Sequence, residues 1–252
     1  MYLTVRGYFK KAFADSRVLG GCFAGMAYVK ESICSAHTPK LLGTYEKELY
    51  SIIEAVPTAS YSTIVNVGAG EGYYAVGLAR ANPGVPVIVF DLNPRARALV
   101  GELAALNDVQ DQITIRKLCR CADLEDAING RSFVFMDAEG NERVLLDPEQ
   151  APGLLEADIV VEIHDFLTRD IADSIRERFY PTHHIREIWQ EDRSHVDLPQ
   201  PPSRGQRLFW ELTLQRPYHY FAKALSEGRP ERMRWLHLER RRDGAEALQP
   251  NR

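Results

Sequence analysis

The stretch STIVNVGAGEGYYAVGLA, Ser62 to Ala79, decides the fold. Thr63 to Val67 is a short apolar run of strand type, the glycines Gly68, Gly70 and Gly72 follow at alternate positions, and YYAVGLARA after them has the composition of a helix ended by NPG. A strand that turns into a helix through glycines lets the backbone bend tightly and approach a ligand closely, and the free N–H groups at the helix start attract an anion.

Outward from this stretch the pattern repeats. VPVIVFD reads as a second strand and PRARALVGELAALN as a helix with Pro94 in its first turn; QITIRKL, SFVFMDAE and ADIVVEIHDF read as further strands. DLEDAI reads as a short helix with Asp123 as its N-cap. Continuous apolar strands separated by helical patterns predict a parallel sheet covered on both faces, a doubly wound α/β fold. Before it, PKLLGTYEKELYSIIEAV carries Leu42, Tyr45, Leu49, Ile52, Ile53 and Val56 near helical spacing. Beyond Phe166 come the helical IADSIRERF, a strand in HIREIWQE, the Pro-rich loop DLPQPPSRG and a last strand in MRWLHLER. The expected division is a helical N-terminal extension or lid over 1–60, a main domain over 61–240 and a frayed tail over 241–252.

The chain has 252 residues, 45% of them hydrophobic, enough for one α/β core. A formal charge of -4 gives the molecule no electrostatic reason to seek nucleic acid or an anionic membrane. The apolar run VLGGCFAGMAYV is too short to span a bilayer, and Asp15 and Arg17 interrupt the core that a signal peptide needs. Cys22, Cys34, Cys119 and Cys121 form neither a disulfide framework nor a zinc spacing, so they are read as reduced and the protein as cytoplasmic. Oligomeric state is not written in the sequence, although the N-terminal region is long enough to pack against a second copy.

The glycine loop departs from the dinucleotide fingerprint G-x-G-x-x-G, because Tyr73 stands at the third glycine. Asp91 ends the second strand, where a carboxylate can accept both hydroxyls of a ribose. Both NAD and S-adenosylmethionine carry such a ribose, so Asp91 does not separate them.

The segments VNVGAGEGYYAVGLA, VIVFDLNPRARALV, LNDVQDQITI, FMDAEGNERVLL and VVEIHDF fall in an order and spacing that resembles FkbM-type methyltransferases, a branch of the class I S-adenosylmethionine-dependent enzymes. The resemblance covers roughly Thr63 to Phe166. It implies a seven-stranded sheet with a reversed last hairpin, S-adenosylmethionine over the strand C-termini, and methyl transfer to a hydroxyl, often of a sugar or another small molecule. On it, Gly68, Gly70 and Gly72 match the glycine loop, Asp91 the ribose-binding acid, and Asp137, Glu139 and Gly140 the D-x-E-G segment after the fourth strand. Many class I members carry an acid two residues before the first glycine, and this chain has Asn66 there. An amide still hydrogen-bonds an ammonium but lacks the charge attraction. The adenine pocket is expected around Cys121, Ala122 and Asp123, with capping of the short helix as the competing role for Asp123.

For the chemistry, residues two apart on a strand share a face, which pairs Asp137 with Glu139 and Glu162 with His164 at neighbouring strand ends. Two readings of this group stand. In one, His164 is a general base oriented by Asp137 or Glu139. In the other, Asp137, Glu139, Glu162 and His164 supply ligands to a divalent cation such as magnesium or manganese that lowers the pKa of the acceptor hydroxyl. Rival functions are a NAD-dependent oxidoreductase and a catalytically silent scaffold. His183 and His184 read as surface residues, and Trp189, Trp210 and Trp235 as core.

Overall fold

The computed structural model describes residues 14–33, 35–167, 169–193, 197–199 and 233–242. Cys34, Trp210, most of the Pro-rich loop and tail residues 243–252 lie outside the described residues.

Seven strands form one sheet in the order β3-β2-β1-β4-β5-β7-β6. They are β1 (Thr63–Val67), β2 (Val87–Phe90), β3 (Ile113–Arg116), β4 (Ser132–Met136), β5 (Asp158–Glu162), β6 (His183–Trp189) and β7 (Arg234–Arg240). The first five run parallel, and β7 lies antiparallel between β5 and β6. This is the seven-stranded arrangement with a reversed last hairpin that the resemblance implies. Among the described residues the helices are α1 (His37–Leu42), α2 (Tyr50–Ala55), α3 (Tyr73–Ala81), α4 (Pro94–Leu106), α5 (Cys121–Ala127), α6 (Glu142–Leu145) and α7 (Ile171–Phe179).

The apolar runs work because successive strand residues face opposite sides and both sides are covered. Ile64, Val87, Val89, Phe133 and Phe135 enter one core with α3 and α4; Val65, Val67, Val134, Met136 and Ile159 enter the other with α5 and α7. β1, β4 and β5 are buried along their whole length.

Helix α3 is buried at every position from Tyr73 to Ala79, which a helix on a sheet cannot be without a second layer over it. The N-terminal segment supplies part of that layer. Val18, Phe23, Met26, Tyr28 and Val29 join the same core, and the Phe23 ring meets Tyr73 edge-on at 5.1 Å. Gly77 makes room for it, since a Cβ there would lie 2.5 Å from the Phe23 ring.

The helix expected across residues 39–56 is broken. α1 stops at Leu42, Gly43 caps it in the left-handed region, Glu46 is also left-handed at φ 46, and a 3-10 turn at Lys47–Leu49 precedes α2. Apolar periodicity survived the break because both short helices face the same core. His183 is fully buried rather than superficial, bonded to the Ala157 carbonyl at 2.9 Å and to Thr182 Oγ1 at 2.8 Å, whereas His184 is exposed. Trp235 is fully buried, but Trp189 is 48% exposed and is no core residue. No described helix is long and apolar enough to cross a membrane.

Candidate active site

Strand order reverses between β1 and β4, and in open α/β sheets the loops beyond such a point leave a crevice. A cleft of about 590 Å³ opens there, with Asn66, Gly68, Gly70, Tyr73, Asp91 and Asp137 among its lining residues. Its volume falls within the range of small-molecule sites.

Gly68 and Gly70 line this cleft, whereas Gly72 is not among its lining residues. Gly68 has φ 72, and a Cβ on it would sit 1.7 Å from the Asp137 carbonyl oxygen, so β1 and β4 can end side by side only with glycine here. Gly72, at φ 99, is the N-cap of α3. Asp91 ties the loop to the end of β2: one carboxylate oxygen accepts from Gly70 N–H at 2.8 Å and the other from Asn93 N–H at 2.8 Å. Asn66 is buried in β1; its amide donates to the Phe135 carbonyl at 3.3 Å, and its Oδ1, on the other side, has no hydrogen-bond partner.

Asp123 is placed differently from Asn66 and Asp91. It is the third residue of α5 rather than its N-cap, its carboxylate reaches back to Arg120 N–H at 3.0 Å, and it is not among the residues that line the cleft. Cys119, Arg120 and Cys121 line that end instead. Burial pushes the Cys119 thiol up to about 12, which leaves it protonated and unreactive.

At the opposite end four acidic side chains surround one imidazole. The route differs from shared strand faces: β4 ends at Met136 and β5 at Glu162, so Asp137, Glu139 and His164 all lie in loops. Glu139 takes a left-handed φ of 48 to bring its carboxylate back. His164 is fully buried, and its Nε2 lies 3.5 Å from carboxylate oxygens of Asp137, Glu139 and Glu162. Its Nδ1 is 2.7 Å from Glu142, an equally buried residue that sequence reasoning missed. Glu142 Oε1 also accepts from the N–H groups of Ala138 and Gly140 at 3.2 and 3.1 Å, so one carboxylate shapes the loop after β4 and orients the histidine. An acid just past D-x-E-G, at the start of a helix of four residues, was the available signal.

This geometry fixes the tautomer. Glu142 accepts a hydrogen bond from Nδ1–H, which aims Nε2 at three carboxylates. A bare lone pair there is repelled, so the site calls for a positive charge: a proton on Nε2 or a cation among the oxygens. Burial opposes charge on the ring, but the hydrogen bond to Glu142 and the charges of Asp137, Glu142 and Glu139 outweigh it, and the His164 pKa stands above its ordinary value. Asp137, Glu162 and His164 each offer a ligand atom within 4.8 Å of the others, a donor set of one imidazole and two carboxylates that suits magnesium, manganese or a similar divalent ion. Glu139, whose side chain is 55% exposed, lies at the rim.

Glu71, inside the glycine loop, was also missed. It is fully buried, and its carboxylate accepts from Tyr28 Oη, Ser32 Oγ and Lys40 Nζ at 2.6 Å each and from Ile33 N–H at 2.9 Å. The N-terminal segment is thereby clasped to the glycine loop. Burial raises the Glu71 pKa, but Lys40 and the bonds from Ile33 and Ser32 overcome it, and the carboxyl ends below its ordinary value. A depressed carboxyl stabilises the fold above the unfolded-state pKa and loses that contribution as pH falls through the folded value. Glu71→Gln is therefore expected to cost roughly 3 kcal/mol at neutral pH by leaving Lys40 buried without its counter-charge. Thermal melts of both proteins from pH 7 down to pH 3 check this: the difference should shrink with acid, and a constant difference would refute the linkage.

No protein-family model matches this sequence, and no curated protein matches it either. Among solved structures the chain is similar to a precorrin-6y C5,15-methyltransferase from Geobacter metallireducens, with 13% identity over 66% of this chain and 80% of that one and a TM-score of 0.46. An O-methyltransferase from Bacillus cereus in complex with SAH is 15% identical over 75% of this chain and 79% of that one, TM-score 0.46. A SAM-dependent O-methyltransferase from Thermotoga maritima is 12% identical over 80% and 68%, TM-score 0.44.

Proposed function

We propose that the protein is an S-adenosylmethionine-dependent methyltransferase that methylates a hydroxyl of a small molecule or sugar, with a divalent cation held by Asp137, Glu162 and His164. The observation that carries the metal part is the Glu142–His164 pair, which turns a fully buried Nε2 toward three carboxylates at 3.5 Å. Metal-bound histidines characteristically donate their other nitrogen to a carboxylate in this way. The motif resemblance to FkbM-type enzymes, the glycine loop and Asp91 support the donor.

In this reading the nucleoside lies over the glycine loop, with Asp91 beside the ribose and Cys119 to Cys121 beside the base. The donor supplies a methyl group already activated on a sulfonium, so the protein's task is alignment and proton removal. The cation, when bound, lowers the pKa of an acceptor hydroxyl. Asp137, Glu162 and His164 would hold that cation, and Glu139, at the rim, would accept the hydroxyl's proton. Phe166, 62% exposed with its ring 5.6 Å from His164, and the exposed Leu167 offer apolar contact to the acceptor's body. A role for nucleic acid or membrane is not part of this proposal.

Calorimetric titration of chelator-treated protein with S-adenosylmethionine, with and without magnesium or manganese and with NAD as control, tests it. Saturable donor binding, no NAD heat, and a separate metal isotherm are expected. NAD binding without donor binding would overturn the donor assignment, and donor-dependent turnover indifferent to chelator would overturn the metal.

A further inference from the structure

One part of the cleft lining is not built by the sheet. Lys40, Tyr45 and Glu46, around the turn that ends α1, line it together with Tyr73 and Tyr74 of α3. Lys40 is bonded to Glu71 and to Ser35 Oγ, each at 2.6 Å, and lies 4.9 Å from the centre of the Tyr45 ring. Glu46 is 2% exposed and is held at a left-handed φ of 46, a conformation that costs a non-glycine residue about 1 kcal/mol or more and is retained where a site needs it. Its Oε2 accepts from the Tyr74 hydroxyl at 2.6 Å. Burial and the nearby Glu46 push the Tyr74 pKa well up, so that phenol stays a donor.

Tyr74 stacks on Phe135 with ring centroids 4.0 Å apart, and the Phe135 carbonyl receives the Asn66 amide. Glu46 and Asn66 are thus joined through this stacked pair, Glu46 bonding Tyr74 and Asn66 bonding Phe135, and both line the cleft. Asn66 is 1% exposed and its Oδ1 has no partner, which is costly unless a donor arrives from the cleft. A buried carboxylate and an unsatisfied amide oxygen among the residues of one cleft match a ligand group with several N–H donors and a positive charge.

We propose that Glu46, reaching in from the N-terminal segment, and Asn66 Oδ1 together bind the α-ammonium of the donor's amino-acid end. Glu46 then supplies the carboxylate that the sequence lacks at Asn66. The inference rests on the methyl-donor reading, and it makes the N-terminal segment part of the cofactor site.

The test compares S-adenosylhomocysteine, which has the ammonium and no sulfonium, with 5′-methylthioadenosine, which has the same nucleoside and thioether without the amino-acid end. Titrations of the full chain, of Glu46→Gln and of Asn66→Ala are read calorimetrically. Glu46→Gln keeps an acceptor for Tyr74 and should weaken S-adenosylhomocysteine about tenfold to a hundredfold while leaving 5′-methylthioadenosine within twofold. Asn66→Ala should show the same selectivity with a smaller loss. Unchanged retention of 5′-methylthioadenosine also reports that each variant is folded. If the parent binds neither nucleoside, the donor reading fails and takes this inference with it. If the parent binds S-adenosylhomocysteine but both variants match the parent, or lose both ligands equally, the ammonium site is refuted and the donor reading stands.

Discussion

Gly68→Ala should cost at least about 4 kcal/mol of stability and abolish binding of donor and metal together. The left-handed backbone at φ 72 accounts for roughly 1 kcal/mol of this. The larger part is the 1.7 Å approach of the new Cβ to the Asp137 carbonyl oxygen, a main-chain atom that cannot swing aside. Relief requires β1 and β4 to part at their C-terminal ends, where Asp137 N–H bonds to the Val67 carbonyl at 3.0 Å. Parting them moves the glycine loop and the Asp137 carboxylate beside His164 at once. Gly84 is the control: it has φ 82, but a Cβ there meets nothing within 4 Å. Gly84→Ala should therefore cost about 1 kcal/mol and leave both ligands bound. Urea unfolding and titration with S-adenosylhomocysteine and manganese read both effects, and equal behaviour of the two variants would show that the contact with Asp137 does not matter.

That contact also marks how far the sequence is legible. The spacing of Gly68, Gly70 and Gly72 after an apolar strand predicts a tight, ligand-facing turn, and each of the three has positive φ. The strands were readable because burial on both faces forces continuous apolar runs, as in Thr63 to Val67 and Ser132 to Met136. Convergence of Asp137, Glu162 and His164 was readable from topology, since parallel neighbours place their C-terminal ends together. The strand-face argument for it was mistaken, because three of the four expected ligands stand beyond the last paired residue. Two buried acids escaped altogether. Nothing in the local sequence around Glu71 and Glu142 calls for burial, and tertiary partners 38 or 22 residues away in sequence give them the reason for it. The break at Gly43 escaped for a related reason: periodicity reports which residues face the core and is silent on whether one helix or two carries them there.

His164→Ala should remove manganese binding and, with it, methyl transfer, with a loss in turnover of about a thousandfold or more. The substitution deletes the sole nitrogen ligand and leaves Glu142 buried without the imidazole at 2.7 Å. A second variant separates the roles. Glu142→Gln keeps a carbonyl oxygen for Ala138 N–H, Gly140 N–H and His164 Nδ1, but removes the negative charge that makes Nε2 a stronger donor toward a cation. It should weaken manganese about tenfold to a hundredfold, and saturating manganese should restore most of the turnover. A general-base histidine predicts a different pair of results. Turnover would then fall in both variants and excess metal would not rescue Glu142→Gln, since the defect would lie in the basicity of Nε2 rather than in occupancy of the site. Titrating turnover with manganese in the parent and in Glu142→Gln decides between the cation and the base, because only occupancy can be bought back by concentration.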